Sequence, residues 1–500
     1  MTTNGSKKSI LTQVGHFSSA TLLTHLVTMI AVFLTRKFLG PLQMGIWSIM
    51  QVVLTYSMYC SLGVTYGIVQ KVPFYRGKKD YAKADEIRDV SISFSMFMTG
   101  LVSAGILIYA ICFRTRLKPE IFHGLLFASV IIFLTRVNNL LITILRAYKE
   151  FTLAGKQMFF SAIVNALFIA LLAYSFKLYG FMLAICFSLI FNIVYMWMHY
   201  RFPIKWNLNI ALIKELIVYG FLLISIDFLG NTALTADRIV IAKFLGLEAV
   251  GLYSIAQLTW NYVFAFPNSI SIIFGTNIQE KYGERERIDH LKGFVSKSLT
   301  ALSSTMPFII GALWFLGPSA IHLILPKFIN GLIAMQCLLL GTFFASLYTP
   351  LEQFLVAIKK QLPLLFLGGL WILFAFSFNF IAVNAGLGIG GVAASMAFVA
   401  MLRFIVLFFI SGAYLFSKKE LWLNFFQISG RFIYLLVLLV GLSQIKLFQN
   451  QLITDGFNFA VFLLLYSPIF FYLNKQLEII PIFLAYFKGK WGFKPATQQI

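Results

Sequence analysis

A segment of twenty residues occurs twice in this chain, and the repeat limits what the rest of the sequence can fold into. Lys37 to Tyr56 reads KFLGPLQMGIWSIMQVVLTY, and Lys243 to Tyr262 reads KFLGLEAVGLYSIAQLTWNY. A shift of 206 residues aligns the two copies without a gap. The identical positions, numbered in the first copy, are Lys37, Phe38, Leu39, Gly40, Gly45, Ser48, Ile49, Gln51 and Tyr56. A repeat of about two hundred residues is too long for a solenoid unit, so the sequence predicts two similar lobes.

The composition places both lobes in a membrane. Hydrophobic residues make up 59% of the chain, charged residues make up 12%, and the mean hydropathy is +0.85. A soluble globular protein could not cover that much apolar surface. The formal charge of +22 does not indicate nucleic-acid binding, because the basic residues stand in short clusters between apolar runs. The four cysteines follow neither the spacing of a metal site nor that of a disulfide framework.

The apolar runs predict the number of helices. A transmembrane helix needs about twenty consecutive apolar residues. By this length criterion the chain contains about fourteen spans. Their predicted limits are 15–35, 44–68, 90–113, 121–145, 157–176, 180–199, 215–236, 249–273, 294–316, 328–355, 362–383, 389–413, 430–446 and 457–473. The expected fold class is therefore an all-α integral membrane protein.

The basic residues predict the orientation of these spans. The connecting segments fall into two alternating sets, of which one contains 28 lysines and arginines and the other contains 10. Cytoplasmic segments carry the excess of positive charge in membrane proteins. Because the N-terminal segment and the C-terminal tail both belong to the basic set, both termini are expected in the cytoplasm.

The repeat and the spans together predict the domain organisation. Residues 1–205 form an N-terminal lobe of spans one to six, residues 206–415 form a C-terminal lobe of spans seven to twelve, and residues 416–500 hold two appended spans and a tail. Both lobes begin on the cytoplasmic side, so they are parallel repeats related by an axis along the membrane normal. Such a pair of six-helix lobes is expected to surround a central cavity.

A motif at the start of the second copy resembles a known family. Asp237-Arg238 is followed by Leu245-Gly246 and by Gly251-Leu252-Tyr253-Ser254-Ile255-Ala256. An Asp-Arg pair, a Leu-Gly a few residues on and then Gly-x-Tyr-Ser-x-Ala is the pattern of the polysaccharide transporters. These are the Wzx-like flippases for O-antigen and capsule repeats of the multidrug/oligosaccharidyl-lipid/polysaccharide (MOP) exporter superfamily. The resemblance extends over the full length, with similar size, span number and two-lobe repeat.

The resemblance implies a function, a location and partners. A flippase of this family would move an undecaprenyl-diphosphate-linked oligosaccharide across the bacterial inner membrane, for lipopolysaccharide or capsule synthesis, without ATP. Its partners would be the lipid-linked oligosaccharide, membrane lipid and other polysaccharide assembly proteins, and no nucleic acid. No cofactor is expected, whereas coupling to H⁺ or Na⁺ stays open.

The seventh span carries acids that the first copy lacks. In the 206-residue register Asp227 aligns with Thr21, Asp237 with Ala31 and Arg238 with Val32, so these charges do not belong to the shared scaffold. Asp227, Asn231 and Arg238 fall on one polar stripe at helical spacing. An intramembrane carboxylate is a candidate coupling site. The alternatives are a structural hydrogen bond for Asp227 and an ion pair that closes the outer gate for Asp237-Arg238.

Two arginines lie inside predicted spans. Arg136 is in the middle of the fourth span, aligned with Asn139, and Arg403 is in the twelfth. Asn139, and Asn231 on the seventh span, are candidates for substrate contact together with these arginines. A central arginine costs roughly 2.5–3.5 kcal/mol on insertion scales, so each is expected to face water, an acid or the substrate. Guanidinium suits a diphosphate because it offers bidentate donors. A structural ion pair is the alternative for both arginines.

Two further residues complete the candidate set. His25 belongs to a polar stripe on the first span and is a candidate for substrate contact. Glu352, near the inner end of the tenth span, is a candidate coupling or gate residue, and Lys359 or Lys360 is its expected partner if its role is structural.

Catalytic motifs are missing from the sequence. It contains no Walker A sequence, no His-Glu-x-x-His and no Gly-x-Ser-x-Gly. The chain is therefore not expected to be an enzyme. Two other functions are alternatives: a drug or organic-cation antiporter of the same superfamily, and a membrane-embedded glycan polymerase or transferase. The excess of arginines over acids argues against the first, and the short outer loops argue against the second.

Overall fold

The computed structural model describes residues 3–148, 150–200, 204–285, 288–360, 362–445 and 447–477. Within these ranges the chain is helical and contains no strand, which confirms the predicted fold class. The helices are α1 (Thr3–Ser57), α2 (Val72–Gly77), α3 (Tyr81–Cys112), α4 (Pro119–Ala147), α5 (Phe151–Phe168), α6 (Tyr174–His199), α7 (Ile210–Phe244), α8 (Leu247–Arg285), α9 (Lys292–Ile324), α10 (Leu332–Ala357), α11 (Leu362–Asn384), α12 (Gly388–Leu415), α13 (Lys418–Ser443) and α14 (Gln451–Leu477).

The predicted spans overlap these helices, although the second, 44–68, continues beyond the end of α1 and the fifth, 157–176, continues beyond the end of α5. Spans one and two share α1, which is interrupted at Gly40, where φ is 70° and Pro41 follows. Glycine adopts this left-handed conformation without a steric penalty, and proline cannot continue the hydrogen-bond ladder. In the described part of the chain, nine helical segments are long and apolar enough to cross a membrane.

Local sequence signals explain where several helices begin. The Asp80 side chain accepts a hydrogen bond from the Lys83 N–H at 3.1 Å and caps α3. α4 begins at Pro119, whose missing N–H is not needed in the first turn. At α13, Ser417 and Glu420 cap each other's backbone N–H groups, a capping box. These signals fix the ends of helices that apolar composition alone would leave undefined.

The chain packs as two compact units. Among the described residues, the first contains those up to Leu39 together with Ile49–Phe228, and the second contains Gly40–Ser48 and residues 229–477. The segment Gly40–Ser48, part of the repeated sequence, thus packs with the second unit. The limits predicted from the repeat, 1–205, 206–415 and 416–500, describe sequence similarity rather than packing and stay a prediction.

Each unit has its own apolar core. The core of the first unit is built around fully buried aliphatic side chains that include Val64, Ile68 and Leu145. The core of the second unit is larger and rich in phenylalanine. Its members include Phe343, Phe354, Phe404, Phe408 and Phe462. The last of these comes from α14, so the appended helices belong to the core of the second unit.

Polar contacts also tie the appended helices to α9. The Lys292 ammonium donates to both carboxylate oxygens of Glu420 at 2.8 Å. Arg431 on α13 donates to the Ser303 hydroxyl at 2.5 Å. Trp314 on α9 donates to Ser443 on α13 at 2.9 Å. α13 therefore packs against one helix of the second unit along its length.

A glycine on α9 makes room for α14. A Cβ added at Gly311 would overlap the ring of Phe462. The residue 206 positions earlier is also a glycine, Gly105 on α3, and a Cβ there would meet nothing within 4 Å. The matching positions of the two copies thus differ in what covers them within the described part of the chain.

This difference gives a matched pair of substitutions. Gly311→Val should lower the free energy of unfolding by about 1–3 kcal/mol, because the added side chain displaces Phe462 from a packed core. Gly105→Val adds the same atoms to an open helix face and should have little effect. Thermal unfolding of the purified protein checks both. Equal destabilisation by the two variants would contradict the packing described for α14.

Candidate functional site

The second predicted span is broken where its helix should cross the membrane. α1 ends at Ser57 and continues as a 3₁₀ turn, Met58–Ser61, followed by Leu62 at φ 49° and Gly63 at φ 85°. Helical hydrogen bonding resumes as a π-turn, Gly67–Lys71, and as α2. A break of this kind leaves backbone carbonyls without their regular partners.

Arg136 supplies one of the missing donors. It projects from α4 into the first unit and is only 4% exposed. Its Nη2 donates to the Met58 carbonyl at 2.5 Å, and its Nε donates to the Thr99 hydroxyl at 3.2 Å. Cys60 Sγ lies 3.8 Å from Nη2 and 3.4 Å from the Thr99 hydroxyl. The guanidinium therefore caps the interrupted helix.

The helix end also supplies the negative partial charge that stabilises the Arg136 guanidinium. We expected Arg136 to face an acid or the substrate, yet among the described residues no carboxylate pairs with it. The carbonyls at the C-terminal end of a helix carry partial negative charge and stabilise a cation. A buried arginine can thus be accommodated at this break without an acidic partner.

The backbone of α7 packs directly against the same break. A Cβ added at Gly63 would lie 2.5 Å from the Gly220 carbonyl oxygen, and a Cβ added at Gly220 would overlap the Gly63 carbonyl. The Tyr59 hydroxyl donates to the backbone carbonyl of Asp227 at 3.2 Å. The rings of Tyr59 and Phe228 meet edge to face, with centroids 5.2 Å apart. α7 is therefore held in place by the residues of the break.

Asp227 lies exposed on α7 in the first unit. The break thus brings together the elements that carry two predicted site residues, Asp227 and Arg136. Arg136 contacts the 3₁₀ turn at Met58, and Tyr59 of the same turn contacts the backbone of α7 at Asp227. The two elements are therefore connected through the 3₁₀ turn rather than through a pairing of the two charges.

Arg403 and Glu352 form an ion pair in the second unit. Nε and Nη2 of Arg403 on α12 donate to one Glu352 oxygen on α10 at 2.9 and 2.5 Å. The guanidinium also lies over the Tyr348 ring, 4.4 Å from its centroid. Glu352 thus pairs with Arg403 and not with Lys359 or Lys360, which proximity in sequence had suggested.

Asp237 is buried among groups of the repeated segment. It is 3% exposed, and its carboxylate accepts the Arg238 backbone N–H at 2.6 Å. The Tyr253 hydroxyl and the Gln257 amide lie beside it. In the first copy the corresponding residues are Ala31, Trp47 and Gln51. The second copy has therefore gained a carboxylate at a position where the first has only a methyl group.

The remaining predicted residues are less informative. The backbone carbonyls of Asn139 and Asn231 accept hydrogen bonds from Thr143 at 2.7 Å and from Thr235 at 2.9 Å, and both asparagines are half-buried. The side chain of His25 lies outside the described residues. The roles predicted for these three side chains stay predictions.

A charged cluster around Arg88 was not predicted from the sequence. Arg88, in a charged stretch that precedes the third predicted span, is buried and donates to Asp85 and Tyr148 at 2.6 and 2.7 Å. It also pairs with buried Asp89 at 2.8 Å. Burial raises the pKa of the Tyr148 phenol, which donates to Asp85 at 2.9 Å. The i, i+3 and i+4 spacing of these acids and Arg88 is a signal that could have identified the cluster.

Comparison with known sequences finds a family model that is similar to part of the chain. The model of the family described as polysaccharide biosynthesis protein matches residues 33–276. The match includes both copies of the repeated segment, the helix break, Arg136 and the acids of α7. A search of curated proteins finds no match.

Comparison with solved structures identifies the fold. An inward-facing multidrug resistance MATE family transporter of the MOP superfamily aligns with a TM-score of 0.68, at 15% identity over 82% of this chain and 98% of that one. The lipid II flippase MurJ in an inward closed conformation aligns with a TM-score of 0.66, at 16% identity over 92% and 99%. A MOP superfamily transporter from Pyrococcus furiosus aligns with a TM-score of 0.54, at 16% identity over 80% and 93%. The chain therefore shares the fold of these three proteins.

The contacts of Arg136 predict its effect on stability. Arg136→Ala leaves the Met58 carbonyl and the Thr99 hydroxyl without their donor, and should lower the free energy of unfolding by about 1–3 kcal/mol. Arg136→Lys keeps the charge and one donor and should recover part of that loss. Arg146→Ala removes an exposed arginine from the same helix and serves as the control. Thermal unfolding that is equal for Arg136→Ala and Arg146→Ala would contradict the capping role.

Proposed function

We propose that this chain, which resembles the polysaccharide transporters and shares the fold of the three proteins above, is a flippase for lipid-linked oligosaccharides. Family and fold support a multi-pass membrane transporter or flippase. The observation that carries the finer proposal is the match to the polysaccharide biosynthesis family over 33–276, because that region holds the candidate residues of both α4 and α7. The substrate is an undecaprenyl-diphosphate-linked oligosaccharide, moved across the bacterial inner membrane by alternating access.

The charge balance of the chain suits a diphosphate head group. The sequence contains 40 lysines and arginines against 18 aspartates and glutamates. Guanidinium groups bind phosphate oxygens through charge-assisted hydrogen bonds, which are roughly twice as strong as neutral ones. A head group that enters from the cytoplasm therefore finds favourable partners, while the lipid tail stays in the bilayer.

Arg136 is the better placed of the two arginines for this task. Its acceptors are a neutral carbonyl and a hydroxyl, both of which a diphosphate oxygen would outcompete. Arg403 already pairs with the Glu352 carboxylate, so a substrate would have to displace a full negative charge. We therefore assign substrate contact to Arg136 and a structural or gating role to the Arg403–Glu352 pair.

Asp227 is the proposed coupling residue. It is an exposed carboxylate on α7, and the first copy has a threonine at the aligned position. A carboxylate that meets water within a membrane protein can bind H⁺ or Na⁺ and change its charge during the cycle. Asp237 is buried in the second unit, and we assign it with Arg238 to the closing of the outer gate.

The fold also fits a second function, export of organic cations. The MATE transporter aligns with this chain at a TM-score of 0.68. The two functions require opposite charge in the binding site, since a cation needs acids and a diphosphate needs basic groups. Competition between the two ligand classes separates them.

The binding test uses the purified full-length protein with undecaprenyl-diphosphate-linked oligosaccharide and with an organic cation such as ethidium. We expect the lipid-linked oligosaccharide to bind and ethidium neither to bind nor to compete. Arg136→Ala should weaken lipid binding at least tenfold, because one charge-assisted contact is worth about 1.5–3 kcal/mol. Arg146→Ala should not. Ethidium binding without lipid binding would replace this proposal by the antiporter function, and a destabilised Arg136→Ala protein with normal lipid affinity would remove Arg136 from the binding site.

A further inference from the structure

The two copies of the repeated segment contact each other within the second unit. The contact is made by two glycines that the shift of 206 residues aligns. Gly45 lies on α1 and Gly251 lies on α8. A Cβ added at Gly45 would overlap the Leu247 carbonyl and lie 3.1 Å from the Gly251 nitrogen. A Cβ added at Gly251 would overlap the Pro41 carbonyl and lie 3.0 Å from the Gly45 nitrogen. The two helices thus cross backbone against backbone.

The crossing is reciprocal in the repeat. The shift of 206 residues that converts Gly45 into Gly251 also converts Pro41 into Leu247. Each copy therefore presents the same glycine to the same carbonyl of the other copy, as expected for a contact on a two-fold pseudo-symmetry axis. A side chain at either glycine would collide with backbone, which cannot move aside as a side chain can. This requirement accounts for the identity of the two glycines.

Both copies enter the crossing by the same turn. Gly40 and Gly246, also 206 residues apart, have φ of 70° and 89°. Five residues later each helix reaches its crossing glycine. A Cβ at Gly331, in the turn before α10, would also overlap the Leu252 carbonyl, so the start of α8 contacts backbone on a second side.

The side chains around the crossing are buried. On α1 they include Met44, Trp47 and Ser48, and on α8 they include Val250 and Tyr253. The helices nevertheless touch through backbone at the glycines themselves. Contacts between small residues allow two membrane helices to approach closely without interlocking side chains. Such a contact can separate and re-form without a rearrangement of rotamers.

We propose that the Gly45–Gly251 crossing is the latch that keeps the outer side of the transporter closed and that parts once in every cycle. The inference rests on the proposed alternating access and deepens it. The distribution of basic residues places Gly40 and Gly246 in connections on the outer side, because those connections belong to the set with few lysines and arginines. A contact at that end closes the outer side for as long as it holds.

The test measures opening directly and needs no substrate. Ser48 is 1% exposed, one turn from Gly45, so a cysteine there reports separation of the crossing. Ser48→Cys is introduced into the full chain with Cys60, Cys112, Cys186 and Cys337 replaced by alanine. A membrane-impermeant maleimide is then added to intact cells from which the outer barrier has been removed. Labelling should be slow while the glycines are present.

Gly45→Val and Gly251→Val should each raise the labelling rate about tenfold, which corresponds to about 1.4 kcal/mol, because the added side chain collides with backbone and disfavours the closed contact. Gly230→Val is the control, since a Cβ at this helical glycine meets nothing within 4 Å. If the valine variants do not reach the membrane, Gly45→Ala and Gly251→Ala replace them, because a single Cβ already overlaps a carbonyl.

Two outcomes overturn the latch. Variants that are inserted but label no faster than the Gly230→Val control would show that the contact does not govern outer access. A lower thermal stability with unchanged labelling would show that the crossing is fixed packing. Failure of the lipid-binding test with faster labelling in the glycine variants would leave the latch in place and remove only the proposed substrate.

Discussion

The structure of the first unit depends on how a broken membrane helix satisfies its backbone. No water is available in the bilayer core to bond free carbonyls, so a break is tolerated only where protein groups replace the lost partners. Here the Arg136 guanidinium fills that role at the Met58 carbonyl, and α7 closes the other side through Gly220. The charge of the arginine and the end of the helix stabilise each other. If Arg136 contacts the substrate as proposed, substrate binding and helix geometry are linked through one side chain.

The two copies of the repeat have kept a scaffold and changed its polar groups. The glycine turns and crossing glycines are the same in both. At the position of Ser61 in the first copy, which forms part of the break, the second copy has Pro267 within a helix. The second copy in turn holds Asp237 buried against its own Tyr253. Duplication followed by such divergence gives each unit a different charge at an equivalent place.

Much of the fold could be predicted from the sequence, because apolar length and the repeat are properties of the chain itself. The site could be predicted only in part. The partner of Glu352 is Arg403, 51 residues away on another helix, and such pairing depends on tertiary packing. The acceptor for Arg136 is a backbone carbonyl. Every residue has such a carbonyl, so the sequence does not indicate which one accepts the hydrogen bond. The burial of Arg88 shows the same limit, since a charged stretch between apolar runs is more often exposed to solvent.

The account is tested most directly by translocation in vesicles. Purified protein is reconstituted with undecaprenyl-diphosphate-linked oligosaccharide, and the glycan that becomes accessible on the opposite face is measured under an imposed H⁺ or Na⁺ gradient. The account predicts protein-dependent translocation that responds to one of the gradients, and an Asp227→Asn variant whose translocation does not respond. Gradient-insensitive translocation by the unaltered protein would contradict the role of Asp227. Vesicles in which the well-folded protein moves no lipid-linked oligosaccharide would contradict the central claim.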